Sequence, residues 1–141
     1  MTRKSAVFIA IAALMLAAVP AWAHHAFAAE FNAKSPVHFE GTIVKVELIN
    51  PHSWITIEVQ KDGKPENWMI EAGSPNVLLR RGFNKNTIPI GTKVVVDGYQ
   101  SKDGSQRANG RDITLPNGQK LFLGSTGTGA PAEGAPGPGR H

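Results

Sequence analysis

The stretch PVHFEGTIVKVELIN, residues 36–50, decides the fold. Val37, Phe39 and Ile43 share one parity, whereas Val44, Val46 and Leu48 share the other. Successive side chains of a strand point to opposite faces, so a change of parity within one apolar run predicts a single long strand that bends or bulges. Gly41 is the expected place for the distortion, since a residue without a Cβ accommodates it at least cost.

Reading onward, Asn50-Pro51 makes a turn, and Ile55, Ile57 and Val59 alternate with polar positions up to Lys61-Asp62-Gly63-Lys64, a hairpin signal. Asn67 to Glu71 forms a third strand carrying Trp68 and Ile70. Ser74-Pro75 opens a short helix, with Ser74 as N-cap and Pro75 where a missing N–H does no harm, and Gly82 closes it. Val77, Leu78 and Leu79 are its expected buried contacts. Val94 to Tyr99 is a fourth strand, Lys102-Asp103-Gly104 a hairpin turn, and Ala108 to Leu115 a fifth strand, after which Asn117-Gly118 turns the chain back toward Leu121 and Leu123. Three strands, a helix and two strands, with a long bent first strand, is the order of a five-stranded OB-fold-like barrel with one helix between strands three and four. The class is mainly β. A β-sandwich is the rival and would ordinarily need more strands.

Outside this core the two ends have different compositions. Arg3 and Lys4 precede a wholly apolar run, Ala6 to Val19, then Pro20 and the small-residue frame Ala21-Trp22-Ala23. A core of that length is too short for a membrane span of about 20 residues, so residues 1–23 read as a Sec-type signal peptide cleaved after Ala23. The mature chain then begins at His24, is periplasmic or secreted, and keeps no membrane anchor. Residues 24–35 form an N-terminal arm and 36–124 the folded domain. Residues 125–141, STGTGAPAEGAPGPGRH, have no large apolar side chain to bury and are expected to be a disordered tail.

Losing Arg3 and Lys4 leaves thirteen basic residues against eleven acidic ones, a formal charge of +2 rather than +4. Those charges interleave along the chain, which argues against a nucleic-acid partner. The chain has no cysteine, which excludes a disulfide framework and thiolate metal sites.

Four segments in order, AHHAF (23–27), NPHSWI (50–55), GSPNVLLRRGF (73–83) and GYQSKDGSQRANGRDITLPNGQKLF (98–122), resemble the domain of unknown function 6152 family of short exported bacterial proteins. The resemblance implies a periplasmic location and carries no activity. It directs attention to His24, His25, Asn50, Pro51, His52, Arg80, Arg81, Arg107 and Asn109.

Chemistry singles out the cleavage junction. A histidine with a free α-amine can chelate through that amine and its ring Nδ1. A second imidazole completes a three-nitrogen brace, with His25, His52 or His38 as the donor. Nitrogen donors in tetragonal geometry suit copper(II), and loss of the amine proton makes affinity depend on pH. The expected metal residues are His24, His25 and His52, although His52 can equally serve the backbone of its turn and His38 a solvated face.

A second set, Trp54, Arg80, Arg81, Arg107 and Asn109, joined by Tyr99 and Arg111, offers flat rings, guanidinium groups and an amide for a small anionic or sugar-like ligand on a barrel face. Trp68 reads as core. No serine, cysteine or acidic pair stands in a nucleophile or acid/base motif, and nothing pairs Glu71 with Asp112, so no catalytic residue is expected. The functional expectation is an exported binding protein that takes copper through His24. The alternative is a metal-free ligand-binding or protein-interaction module whose protein partner the sequence does not name.

Overall fold

In a computed structural model, residues 26–124 are described. The expected signal peptide, His24, His25 and the Gly/Pro/Ala-rich tail lie outside them. Residues 26–30 are helical and lead into six strands and one helix: β1 Phe31–Glu47, β2 Ser53–Lys61, β3 Lys64–Ala72, α1 Pro75–Arg80, β4 Lys93–Ser101, β5 Arg107–Thr114 and β6 Lys120–Phe122.

The strands form one sheet in the order β3-β2-β1-β4-β5-β6, in which each successive pair is antiparallel. A parallel pairing of Met69, Ile70 and Glu71 with Arg107, Ala108 and Asn109 joins β3 to β5 and closes five strands into a ring. The helix lies between β3 and β4 in the chain, so the OB-like arrangement expected of the sequence is the one found. The strand count needs correction from five to six. Lys120–Phe122 returns against Asp112, Ile113 and Thr114 as a short edge strand after the Asn117-Gly118 turn.

The bend in β1 also moves. Pairing with β2 shifts register between Ile43 and Lys45, so the bulged residue is Val44, not Gly41, and the parity change falls there. Ile43 is fully buried and Val44 faces outward at 36% exposure. Gly41 has a different duty: it pairs with Val59 on one side and Val94 on the other, and a Cβ on it would lie 2.7 Å from the carbonyl oxygen of Glu58. Close strand approach excludes a side chain there. β1 also starts at Phe31, inside the stretch assigned to the arm.

The β2–β3 turn has Asp62 at φ 51° and Gly63 at φ 75°, the left-handed pair of a two-residue hairpin. The helix begins at Pro75, where the carbonyl of Ser74 accepts from the amides of Val77 and Leu78 at 3.1 Å while the Ser74 side chain makes no cap hydrogen bond. Only Leu78 of the three expected apolar contacts is buried; Leu79 is exposed because six residues present one narrow face to the ring. Gly82, at φ 90°, ends the helix and lets the amide of Phe83 reach the carbonyl of Leu78 at 3.0 Å.

Inside the ring Ile43, Ile55, Ile57, Ile70, Val96, Ala108 and Ile113 are joined by Leu78 and Phe83 from the helical connection and by Leu123. Each fully buried aliphatic or aromatic side chain of this kind contributes about 1.5–3 kcal/mol. Trp68 belongs to this core, with Phe39 packed against it at 4.4 Å between ring centroids.

Candidate functional site

Alternation sends Ile55, Ile70 and Ala108 inward and their neighbours Trp54, Glu71 and Asn109 to the outer face. Register then aligns Trp54 of β2, Glu71 of β3, Asn109 of β5 and Tyr99 of β4 in one row across four strands. An outer row is ordinarily wet. Here Glu71 and Asn109 are buried, and the residues that precede β1 contact Tyr99 and Arg107. Phe27 packs edge-on against Tyr99 at 5.6 Å and stacks on Phe31 at 5.9 Å, and Lys102 donates through Nζ to the carbonyl of Ala28. Glu30 stands 3.9 Å from the Arg107 guanidinium, which is equally close to Asp103.

Glu71 is the centre of this arrangement. Its Oε1 lies 3.5 Å from Nδ1 of His52 and accepts from Nδ2 of Asn109 at 3.4 Å. Burial pushes its carboxyl above the usual range; the charge of His52 opposes that rise and the charge of Glu30 adds to it. The backbone that carries His52 is anchored immediately downstream, where the amide of Ser53 donates to the carbonyl of Gly73 at 3.0 Å. Two buried polar atoms, Oδ1 of Asn109 and Oγ of Ser53, lack a hydrogen-bond partner among the described residues.

The structure therefore gathers His52, Trp54, Tyr99, Arg107 and Asn109 from the residues expected to matter, and adds Glu71, Phe27 and Glu30. It separates Arg80 and Arg81 from them. Arg80 is exposed at the end of α1. Arg81 donates to the carbonyl of Phe122 at 2.9 Å and to that of Gly124, with its guanidinium 4.6 Å from the Phe122 ring centroid. Burial, then the neighbouring Arg80 charge, lowers its pKa. This arginine ties the helix end to the last strand. Arg111 donates through Nε to buried Asp112 at 2.7 Å, so Asp112 has its own partner and does not join Glu71. His38 also has a carboxylate of its own, Asp97, at 2.6 Å. Asn50 and Pro51, joined by a cis peptide bond, are exposed just before His52.

Among the described residues, no group of three histidine, cysteine or acidic side chains could hold a metal ion. His24 and His25 fall outside the described residues, so a metal site at His52 would draw its other donors from there. The donor chemistry fits to the extent of one half-buried imidazole backed by a buried carboxylate.

Glu71 escaped the sequence reading because β3 alternation marks it as solvent-facing. Its signal was the flanking Met69-Ile70 and Ala72, an apolar setting for one acid.

Residues 12–110 match the family of unknown function DUF6152, and the chain belongs to that family. The match begins within the apolar N-terminal run and ends in β5, so it spans the whole Glu71 row. No curated protein and no solved structure matches the chain.

Proposed function

We propose that this member of the DUF6152 family is an exported binding protein, released after Ala23 into the periplasm or beyond, that takes one copper(II) ion at its mature N-terminus. The α-amine and Nδ1 of His24 supply two nitrogens and His52 the third, with His25 as the substitute donor. The observation that supports this reading is the docking of residues 26–30 against Tyr99 and Arg107, with the charge of Glu30 acting on Glu71, the carboxylate 3.5 Å from His52. Phe27 is held by Tyr99, and Glu30 is held by the same Arg107 whose charge acts on Glu71. Ala26 is two positions from His24, and three residues of chain reach about 11 Å at most. Anchoring Phe27 and Glu30 reduces the freedom that the preceding residues would lose on chelating an ion.

Copper(II) favours tetragonal nitrogen donors, and the chain has no thiolate to compete. The reading assigns binding and no catalysis, and it involves neither nucleic acid nor a membrane anchor. Its test begins with protein expressed behind its own signal, with intact mass confirming a start at His24. Copper(II) titration is expected to give tight one-to-one binding, lost in His24→Ala and in protein with one extra residue before His24. Micromolar or weaker binding that neither change affects refutes the proposal.

A metal-free ligand-binding module is the second reading, favoured by an open groove of about 550 Å³ lined by Glu40, Thr42, Glu58, Gln60, Lys93 and Thr114. None of Trp54, Arg80, Arg81, Arg107 and Asn109 lines it. A ligand retained there in copper-stripped protein, with Lys93→Ala abolishing retention, would support this alternative.

A further inference from the structure

We propose that the open groove of about 550 Å³ on the outer face of the ring binds a short zwitterionic peptide, its free ammonium held by Glu58 and Glu40 and its carboxylate by Lys93. The proposal rests on the second reading above, extends it from a groove to the class of ligand, and is independent of copper. Alternation sets Glu40, Thr42, Glu58, Lys93 and Val95 opposite in parity to buried Ile43, Ile57, Val94 and Val96, so these side chains stand on the outside. Register then aligns three of them. Thr42 pairs with Glu58 of β2 on one side and Lys93 of β4 on the other, giving a row of carboxylate, hydroxyl and ammonium across three strands. Glu40, two positions back along β1, pairs with Val95, which pairs in turn with Thr114 of β5.

The charges that flank Thr42 are not joined to each other. Neighbouring strands lie about 4.8 Å apart, so the backbones of Glu58 and Lys93 are separated by roughly 10 Å. Among the described residues, neither of them nor Glu40 makes an ion pair or a side-chain hydrogen bond. A ligand with one charge of each sign at its ends satisfies both halves, and the free termini of a peptide supply them. The volume lies within the range of about 300–1,000 Å³ usual for small-ligand sites, and Leu115 and Pro116 give one end an apolar wall for aliphatic side chains. Other ligands fit the lining less well. No aromatic side chain lines the groove to stack a nucleobase. A phosphate would meet two carboxylates for one ammonium, and among the described residues no acidic or histidine group is large enough to hold a metal ion.

The probe is trialanine, titrated into copper-free mature protein and followed by ¹⁵N NMR. Saturable shifts are expected at the amides of Thr42, Glu58, Lys93 and Thr114. N-acetylated and C-amidated trialanine should each bind about tenfold or more weakly, since each cap removes one charge-assisted contact. Glu40→Gln together with Glu58→Gln should erase the preference for the free amine and keep that for the free carboxylate, while Lys93→Met does the reverse; a wild-type thermal transition shows that both variants remain folded. Capped and uncapped peptides that shift the groove amides equally overturn the inference and leave a ligand-binding groove in place. Absence of groove shifts at millimolar trialanine also overturns it, and a ligand retained from expression and lost in Lys93→Ala would then sustain the second reading with a different ligand class. Loss of both the shifts and any retained ligand overturns the two together.

Discussion

Two histidine–carboxylate pairs decorate the same sheet, and they invite opposite conclusions. His38 and Asp97 are 2.6 Å apart, with side chains 64% and 24% exposed; His52 and Glu71 are 3.5 Å apart, with side chains 28% and 7% exposed. Distance alone favours the first pair. Environment favours the second, because an exposed ion pair is screened by water and contributes about 0–1 kcal/mol, whereas a buried carboxylate must be held by specific partners. His38 pairs across β1–β4 on an open face. His52 meets an acid embedded between β2 and β5. The pair worth attention is the one whose acid is out of water.

The largest effect separating the two pairs is expected in copper binding. His52→Ala should lower copper(II) affinity by about 100-fold, as removal of a first ligand exceeds the 10- to 100-fold effect of an outer partner, while His38→Ala leaves the isotherm unchanged. Next in size is folding stability. Glu71→Ala strands the buried Asn109 amide and should destabilise the protein by about 1–3 kcal/mol in urea unfolding, against at most about 1 kcal/mol for Asp97→Ala.

A pH titration sharpens the contrast further. Burial raises the carboxyl of Glu71 from 4.5 in the folded state, so the unfolded chain ionises first as pH rises. Between 4.5 and the raised value the folded state holds the extra proton, and stability falls with increasing pH. The stability of wild type relative to Glu71→Gln should therefore decline across that window, by no more than about 1.4 kcal/mol per pH unit for one proton. The smallest effect concerns the terminal latch. Phe27→Ala should remove about 0.5–1.5 kcal/mol of aromatic contact with Tyr99 and Phe31 in addition to the apolar area lost. It should weaken copper binding several-fold, with ring unfolding by near-ultraviolet circular dichroism little altered.

What was legible in the sequence follows the same division. The alternation of Ile55, Ile57 and Val59, the Asp62-Gly63 turn and the Ser74-Pro75 helix start are local signals, and each appears where local chemistry put it. The position of the β1 bulge was not local. Gly41 is the residue that most easily bends, but β2 and β4 crowd it from both sides and leave the distortion to Val44. The three-residue β6 was visible only as a turn followed by two apolar residues, too short for alternation to identify.

The site divides likewise. His52, Arg107 and Asn109 stood out as residue types within motifs, and ring closure between β3 and β5 brings them together. Arg80 and Arg81 shared a motif but belong to the helix end, where Arg81 caps carbonyls of the last strand. Glu71 is an outward position by parity yet is buried and feels the charge of Glu30, about forty residues earlier, a relation no strand pattern encodes.

The central claim is that a free amine at His24 and the imidazole of His52 meet on one copper ion. Electron paramagnetic resonance of the copper(II)-loaded mature protein tests it most directly, compared with a form bearing one added residue before His24. The expected result is superhyperfine coupling to three nitrogens in the first, replaced in the second by a different spectrum that His52→Ala no longer changes. Identical spectra from the two forms would contradict the account.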